Sequence, residues 1–159
     1  MISTDTLVEA MRGHETLRGF QPQDVQRLAT LGVEMRFEPD RLIFQQGAKS
    51  ENFYLIVSGR VALESVSGDQ IISVMTLNEG EEMGWSALFS NGLTHFQARS
   101  ISLVRAIAFD GKQLREECEQ DAAFGYVVMK RLLEIVTERV DATRMQLLDL
   151  YETPGVAAI

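Results

Sequence analysis

The sequence is poor in the residues that build covalent and metal cross-links. Its 159 residues include one cysteine, Cys118, and two histidines, His14 and His95. A single thiol cannot form an intramolecular disulfide, and a zinc site would have only these three side chains as soft ligands. We therefore expect neither a disulfide scaffold nor a metal centre.

Clusters of positive charge and long hydrophobic runs are lacking as well. Fifteen Lys and Arg residues stand against 23 Asp and Glu residues, which gives a net charge of −8. Nucleic acid and anionic membranes are bound through basic patches, so we predict contact with neither. No window approaches the ~20 apolar residues of a membrane-spanning helix, and the amino terminus lacks the pattern of a signal peptide. These absences favour a cytoplasmic protein.

The sequence does contain enough apolar residues for one core, since 45% of it is hydrophobic. Its apolar pattern changes twice, from a helical period to short β-like runs and back. We predict a helical lead-in over 1–32, a β-roll over 33–110, carboxyl-terminal helices over 111–151 and a tail over 152–159. The fold class is thus α+β, mainly β.

Short runs rich in Val, Ile and Phe alternate with turn residues in the central segment, as in antiparallel sandwiches and rolls. Predicted strands lie near 33–37, 41–45, 53–58, 60–65, 71–77, 95–100 and 102–109. The connections between them carry glycines such as Gly47 and Gly80, which suit tight reversals. We interpret Glu81 and Glu82 as residues of such a turn.

An apolar stripe with alternating spacings of three and four runs through the last helical segment, which is typical of a heptad repeat. It comprises Tyr126, Met129, Leu133, Val136, Val140, Thr143, Leu147 and Leu150. The stripe could pack on its own domain, or it could pair with the same helix of a second subunit. We favour a homodimer, with an interface of Met129, Leu133, Val136, Val140, Thr143, Leu147 and Leu150. The flanking charges Glu134, Glu138, Arg139, Asp141 and Arg144 are interpreted as solvated shoulders of the stripe.

Several spaced motifs follow one another along the chain: Phe37, Ile43-Phe44, Gly47, the run from Phe53 to Val61 and the run from Leu77 to Gly84. Together they resemble the cyclic nucleotide-binding domain of the Crp/Fnr-like regulators. The resemblance covers about Leu17 to Tyr151. It implies a double-stranded β-helix, or jelly-roll, with a short phosphate-binding helix between the sixth and seventh strands and a long dimer helix. The amino-acid sequence from Gly84 to Leu88 is also similar to that of small bacterial proteins made of this domain alone.

The resemblance implies a ligand pocket around the short helix. Its candidate residues are Met83, Gly84, Trp85, Ser86, Ala87, Leu88, Thr94, His95 and Phe96. We expect Gly84 to let the backbone approach a ligand and the amides that follow it to offer partial positive charge.

The same pocket departs from the family pattern at two positions. In nucleotide-binding members, a glutamate after the glycine accepts from the ribose and a later arginine pairs with the cyclic phosphate. Here Trp85 holds the first position, and Thr94 or His95 holds the second. Arg99 is predicted to point outward by strand alternation. Loss of both contacts would weaken cyclic nucleotide binding by roughly two to three orders of magnitude.

These departures favour either a more apolar ligand or a plugged cavity. The Trp85 ring could equally fill the pocket or stack on a ligand. Phe96 is more typical of a core residue. His95 is more typical of a structural residue than of one that holds an anion. No cofactor is certain, although a nucleotide-like or other small anionic ligand fits the family.

The function favoured by the sequence is a regulatory or sensor module in signal transduction. An enzyme is not expected, because the nucleophile elbow, phosphate loop and Cys–His arrangements are missing. One alternative is the ligand-sensing part of a Crp/Fnr regulator without its helix-turn-helix, which would need roughly 60 to 70 further residues. Another is a ligand-free scaffold that docks a partner protein.

Overall fold

Two antiparallel four-stranded sheets form the central roll in a computed structural model, which describes residues 2–89 and 92–152. The strands are β1 Gly32–Phe37, β2 Leu42–Phe44, β3 Asn52–Ser58, β4 Val61–Ser67, β5 Gln70–Leu77, β6 Glu82–Met83, β7 Gln97–Ser100 and β8 Val104–Asp110. One sheet has the order β1-β8-β3-β6 and the other β2-β7-β4-β5. The predicted mainly-β roll is confirmed.

Helices flank the roll at both ends of the chain. They are α1 Thr4–Met11, α2 Pro22–Leu31, α3 Gly111–Gln120 and α4 Ala122–Glu152, with short 3-10 helices at Glu15–Leu17 and Trp85–Leu88. Ser3 and Asp110 begin α1 and α3 by accepting a backbone N–H with their side chains, which satisfies an otherwise unpaired donor. The tail predicted over 152–159 starts inside α4 at Glu152, and residues 153–159 lie outside the described residues.

Strand β6 was not predicted, because two residues are too few to show an alternating pattern. It pairs with the middle of β3, where Met83 lies opposite Tyr54 and Glu82 lies opposite Leu55. The interpretation of Glu82 as a turn residue is therefore wrong. Glu82 belongs to a sheet and is 5% exposed.

Alternate residues of β3 and β8 pack into two different apolar clusters, as the two faces of a strand require. Phe53 and Leu55 join a cluster with the four helices, whereas Tyr54 and Ile56 face the interior of the roll. On β8, Ile107 and Phe109 likewise join the first cluster. One sheet therefore links the helical layer to the inside of the roll.

Helix α4 packs on the first cluster along a stripe that the heptad analysis did not include. Its buried apolar members are Phe124, Val128, Leu132 and Ile135. Of the predicted interface, Leu133, Leu147 and Leu150 are exposed, whereas Val136 is half-buried against the first cluster. From Val140 to Glu152 every residue is exposed. Within the described part of the chain, no helix combines the length and hydropathy needed to cross a lipid bilayer.

Candidate functional site

A cavity of about 430 Å³ lies between the roll and α4. It is lined by Phe44, Leu63, Val74, Met75, Met83, Gly84, Trp85, Ser86, Thr94, His95, Phe96, Val136, Arg139, Val140, Thr143 and Arg144. Small-molecule sites in proteins commonly have volumes of about 300 to 1,000 Å³ and mostly apolar walls. In size and lining, the cavity fits a compact organic ligand.

Seven of the nine predicted pocket residues line this cavity, and two do not. Ala87 and Leu88 are buried below it, where Leu88 packs in the first apolar cluster. The carbonyl of Ala87 accepts a hydrogen bond of 2.6 Å from Arg115 on α3. These two residues therefore anchor the short helix to the domain.

Gly84 lines the cavity and also makes a close backbone contact with β3. Its φ is +78°, and a Cβ atom there would lie 2.5 Å from the carbonyl oxygen of Asn52 on β3. Any side chain would therefore push the short helix away from the sheet. The N–H of Ala87 donates back to the carbonyl of Gly84 at 3.0 Å, so that amide is not free for an anion.

Trp85 lines the cavity without filling it. Its ring is half-buried and meets Phe89 edge-on, with ring centroids 6.3 Å apart and an interplanar angle of 85°. Phe96 also lines the cavity and is 37% exposed, so its interpretation as a core residue is wrong. The exposed His95 ring makes no hydrogen bond or ion pair with the residues the structure describes.

The roll provides no free cation to the cavity at the expected position. The buried hydroxyl of Thr94 donates to the carbonyl of Gln45 and accepts from the N–H of Ala48 at 3.2 Å, which closes the loop after β2. Arg99 lies outside the cavity and pairs with Glu64 at 3.2 Å and with Asp40 at 3.3 Å. The predicted outward orientation of Arg99 agrees with these contacts.

Two arginines reach the cavity from α4 instead. Arg139 and Arg144 line it together with Val136, Val140 and Thr143. The interpretation as a solvated shoulder is wrong for Arg139, whose side chain is 23% exposed, and agrees with the 73% exposure of Arg144. A signal for the place of Arg139 is present in the sequence, because Val136, Arg139 and Thr143 follow one another at spacings of three and four and so share one helix face.

An ion pair between Arg139 and Glu82 fixes α4 to the edge of the roll. Arg139 also donates to the backbone carbonyl of Glu82 at 2.7 Å, and the hydroxyl of Thr16 donates to the Glu82 carboxylate at 3.3 Å. Burial raises the pKa of the Glu82 carboxyl above its ordinary value, although Arg139 opposes the shift. The Arg139–Glu82 ion pair thus joins α4 to β6 beside the cavity.

A second polar contact joins α4 to the turn before α2. Arg131, which is 5% exposed, donates to the carbonyls of Thr16 at 2.7 Å and Glu15 at 3.0 Å. His14 holds the same turn, because its Nδ1 accepts from the N–H of Thr16 at 3.3 Å and its Nε2 donates to the carbonyl of Ile56 at 2.8 Å. Burial lowers the pKa of this imidazole. The turn therefore supports the packed half of α4.

The model of the family described as cyclic nucleotide-binding domain matches residues 34–121, which span nearly all of the roll and the whole of α3. The chain belongs to the cyclic nucleotide-binding domain family. The motif-based resemblance is thus confirmed.

Comparison with individual proteins extends the likeness to the helices. The chain is 25% identical over 144 residues to the CRP-like cAMP-activated global transcriptional regulator of Mycobacterium tuberculosis, covering 89% of this chain and only 62% of that protein's length. A cyclic nucleotide-binding domain from Methylobacillus flagellatus superposes with a TM-score of 0.78 at 15% identity, covering 92% of this chain and 83% of that one. The catabolite activator protein of Thermus thermophilus superposes with a TM-score of 0.72 at 20% identity, covering 86% of this chain and 62% of that one. These two structures show a shared fold.

Proposed function

We propose that this domain is a regulatory module without catalytic activity, which binds a small molecule in the cavity between the roll and α4. The observation that carries the proposal is that α4 supplies one wall of the cavity, through Val136, Arg139 and Thr143. A ligand that contacts both walls would favour one position of the helix over others. Occupancy of the cavity is thus linked to a surface that can meet a partner.

Typical binding of cyclic AMP or cyclic GMP is not part of the proposal. The ribose acceptor of the family is replaced by the indole of Trp85, and the Thr94 hydroxyl is already bonded to the loop after β2. Without a guanidinium on β7 facing the cavity, a cyclic phosphate would lose a charge-assisted hydrogen bond worth about 1.5 to 3 kcal/mol. We therefore expect a different ligand.

Calorimetric titration with cyclic AMP and cyclic GMP tests this specificity. We expect no saturable binding of either nucleotide at micromolar concentration. The double substitution Trp85→Glu with His95→Arg would return a carboxylate and a guanidinium to the cavity lining, and we expect it to strengthen binding of at least one nucleotide. Micromolar or tighter binding by the native chain would contradict the proposed specificity.

We also propose a homodimer through the exposed leucines of α4. Leu133 is 67% exposed, Leu147 52% and Leu150 60%, which is a large apolar surface to leave in water. Two such helices would bury these leucines against each other as a two-stranded coil. Val136, Val140 and Thr143, which we had predicted for the same interface, line the cavity of their own domain.

Light scattering with a matched pair of variants tests the dimer. Leu147→Glu places a charge on the proposed interface, whereas Met145→Glu places the same charge on another side of the helix, since successive residues are about 100° apart. We expect the native chain and Met145→Glu to be dimeric and Leu147→Glu to be monomeric. A native chain that stays monomeric at high concentration would assign the exposed leucines to a different protein partner.

A second candidate is the sensor part of a Crp-like transcription regulator. It is favoured by the match to the M. tuberculosis regulator, of which the chain spans 62%. We predict a bacterial, cytoplasmic protein. Sequencing its full gene would decide between the regulator and the single-domain module. A reading frame that continues into a helix-turn-helix would support the regulator, and a stop codon after residue 159 would support the single-domain module.

A further inference from the structure

We infer that the cavity takes an amphipathic anion, a molecule with an apolar body and one negatively charged group held by Arg144. This inference rests on the proposed function, because it names the ligand class of the same site. It places the recognition of charge on α4, whereas the family pattern places it on the roll.

The distribution of charge around the cavity supports an anion. The chain carries 23 acidic and 15 basic side chains. None of the acidic ones lines the cavity in the described structure, whereas Arg139, Arg144 and His95 all do. In so acidic a protein, a carboxylate-free cavity with two guanidinium groups selects for negative charge by complementarity.

Only one of the two guanidinium groups is available to a ligand. Arg139 is neutralised by the buried carboxylate of Glu82 and also bonds its backbone carbonyl. Arg144 contacts Asp141 at 4.0 Å, and both side chains are about two-thirds or more exposed, at 73% and 66%. A contact of this kind contributes little, so Arg144 can turn to an anion at the mouth of the cavity.

The rest of the lining suits an apolar body. Phe44, Leu63, Met75 and Trp85 offer aromatic, aliphatic and thioether surfaces, and such surfaces accept a ring or an alkyl chain. The hydroxyl groups on the roll side of the cavity already form hydrogen bonds within the protein, since Ser86 donates to Ser50 at 2.8 Å and Thr94 donates to the carbonyl of Gln45. A sugar rich in hydroxyl groups would find few partners there.

A matched pair of fluorescent probes tests the inference with the full chain. The probes are 1-anilinonaphthalene-8-sulfonate and its uncharged counterpart N-phenyl-1-naphthylamine, which share the aromatic body and differ in the sulfonate. Trp85 is the single tryptophan of the chain and lines the cavity. Energy transfer from Trp85 therefore reports a probe bound near this residue, and substitutions in the cavity lining assign the probe to the cavity.

We expect the sulfonate to bind about two- to fivefold more tightly than the neutral probe, since an exposed guanidinium contributes less than a buried one. Arg144→Gln should remove this preference and leave the neutral probe unaffected. The control is Arg12→Gln, which breaks a similarly exposed ion pair of the same spacing, Arg12 with Glu9, outside the cavity lining. Phe96→Ser should weaken both probes to a similar extent, because it shortens the apolar wall.

Three results would overturn the inference: equal affinities for the two probes, an unchanged sulfonate preference in Arg144→Gln, or no energy transfer from Trp85 with either probe. They are separable from failure of the proposed function. Tight binding of cyclic AMP by the native chain would refute the proposed specificity, whereas binding of the neutral probe alone would leave a small-molecule site without the anion preference.

Discussion

The two halves of α4 have similar compositions and opposite environments. Both carry apolar residues at helical spacings, and both hold arginine paired with carboxylates. In the first half, Leu132 is 8% exposed and Arg139 pairs with the buried Glu82. In the second half, Leu147 is 52% exposed and Arg144 faces Asp141 in solvent.

This difference shows that a side chain on α4 acquires its role from the surface opposite it. The first half lies over the roll and the turn after α1, so its arginines bond backbone carbonyls and a buried acid. Every residue of the second half, from Val140 to Glu152, is exposed, so its leucines and Arg144 face solvent. The cavity lies where the two halves meet.

The largest expected effect compares two neighbouring leucines. Leu132→Ala should lower the free energy of unfolding by about 3 kcal/mol, because it opens a cavity in the first apolar cluster. Leu133→Ala, at 67% exposure, should change the free energy of the monomer by less than about 0.5 kcal/mol. Chemical denaturation of both variants measures the difference. Equal losses at a protein concentration too low for dimers would contradict the assignment of the packed face.

The next effect concerns the buried ion pair. Arg139→Met should cost about 2 kcal/mol at neutral pH, below the 3 to 5 kcal/mol of fully buried pairs because the arginine side chain is 23% exposed. The loss should shrink in acid, where the unpaired Glu82 takes up a proton. The double variant Arg139→Met with Glu82→Gln should recover most of the stability. A double variant as unstable as the single one would show that the contact is mainly packing.

A smaller effect is the pH dependence caused by His14. The folded pKa of His14 is lowered from 6.5 by burial, so the unfolded chain binds a proton first as the pH falls. The free energy of unfolding should therefore decrease as the pH drops below about 6.5. His14→Asn, which keeps a capping acceptor, should flatten this dependence, whereas the exposed control His95→Asn should not.

The raised pKa of Glu82 acts in the opposite direction. Its contribution to stability is present at low pH and is lost as the pH rises through the folded pKa of Glu82. In the Glu82→Gln background, the acid-side loss attributed to His14 should consequently become steeper. A pH profile unchanged by both His14→Asn and Glu82→Gln would contradict the role of the buried turn.

The smallest effect belongs to the exposed ion pair. Arg144→Met removes the 4.0 Å contact with Asp141 and should alter the free energy of unfolding by less than about 0.5 kcal/mol. Comparison with Arg139→Met in the same denaturation series gives the contrast between the two halves directly. A cost equal to that of Arg139→Met would show that the second half of α4 is packed in solution.

Much of the fold and part of the site could be predicted because their signals are local. Strand alternation marked seven of the eight described strands, and the glycine-rich connections marked the turns. The seven lining residues that were predicted are close together in sequence, from Met83 to Phe96. Nine lining residues were not predicted, and they come from distant strands and from α4. Among them, Arg139 and Arg144 lie on a helix where two different faces carry apolar residues at helical spacings.

The sequence by itself determined the roll, its helical ends and the loss of the ribose acceptor and phosphate arginine, because these depend on residue type and spacing within a strand or turn. Tertiary structure alone decided which face of α4 packs, that Gly84 admits the carbonyl of Asn52, and that Glu82 meets an arginine 57 residues away. Such contacts depend on how distant segments approach one another, so local periodicity carries no record of them. The scarcity of cysteine, histidine and clustered positive charge excluded metal and nucleic acid sites from the prediction, and the position of Arg144 at the cavity became visible only on the folded helix.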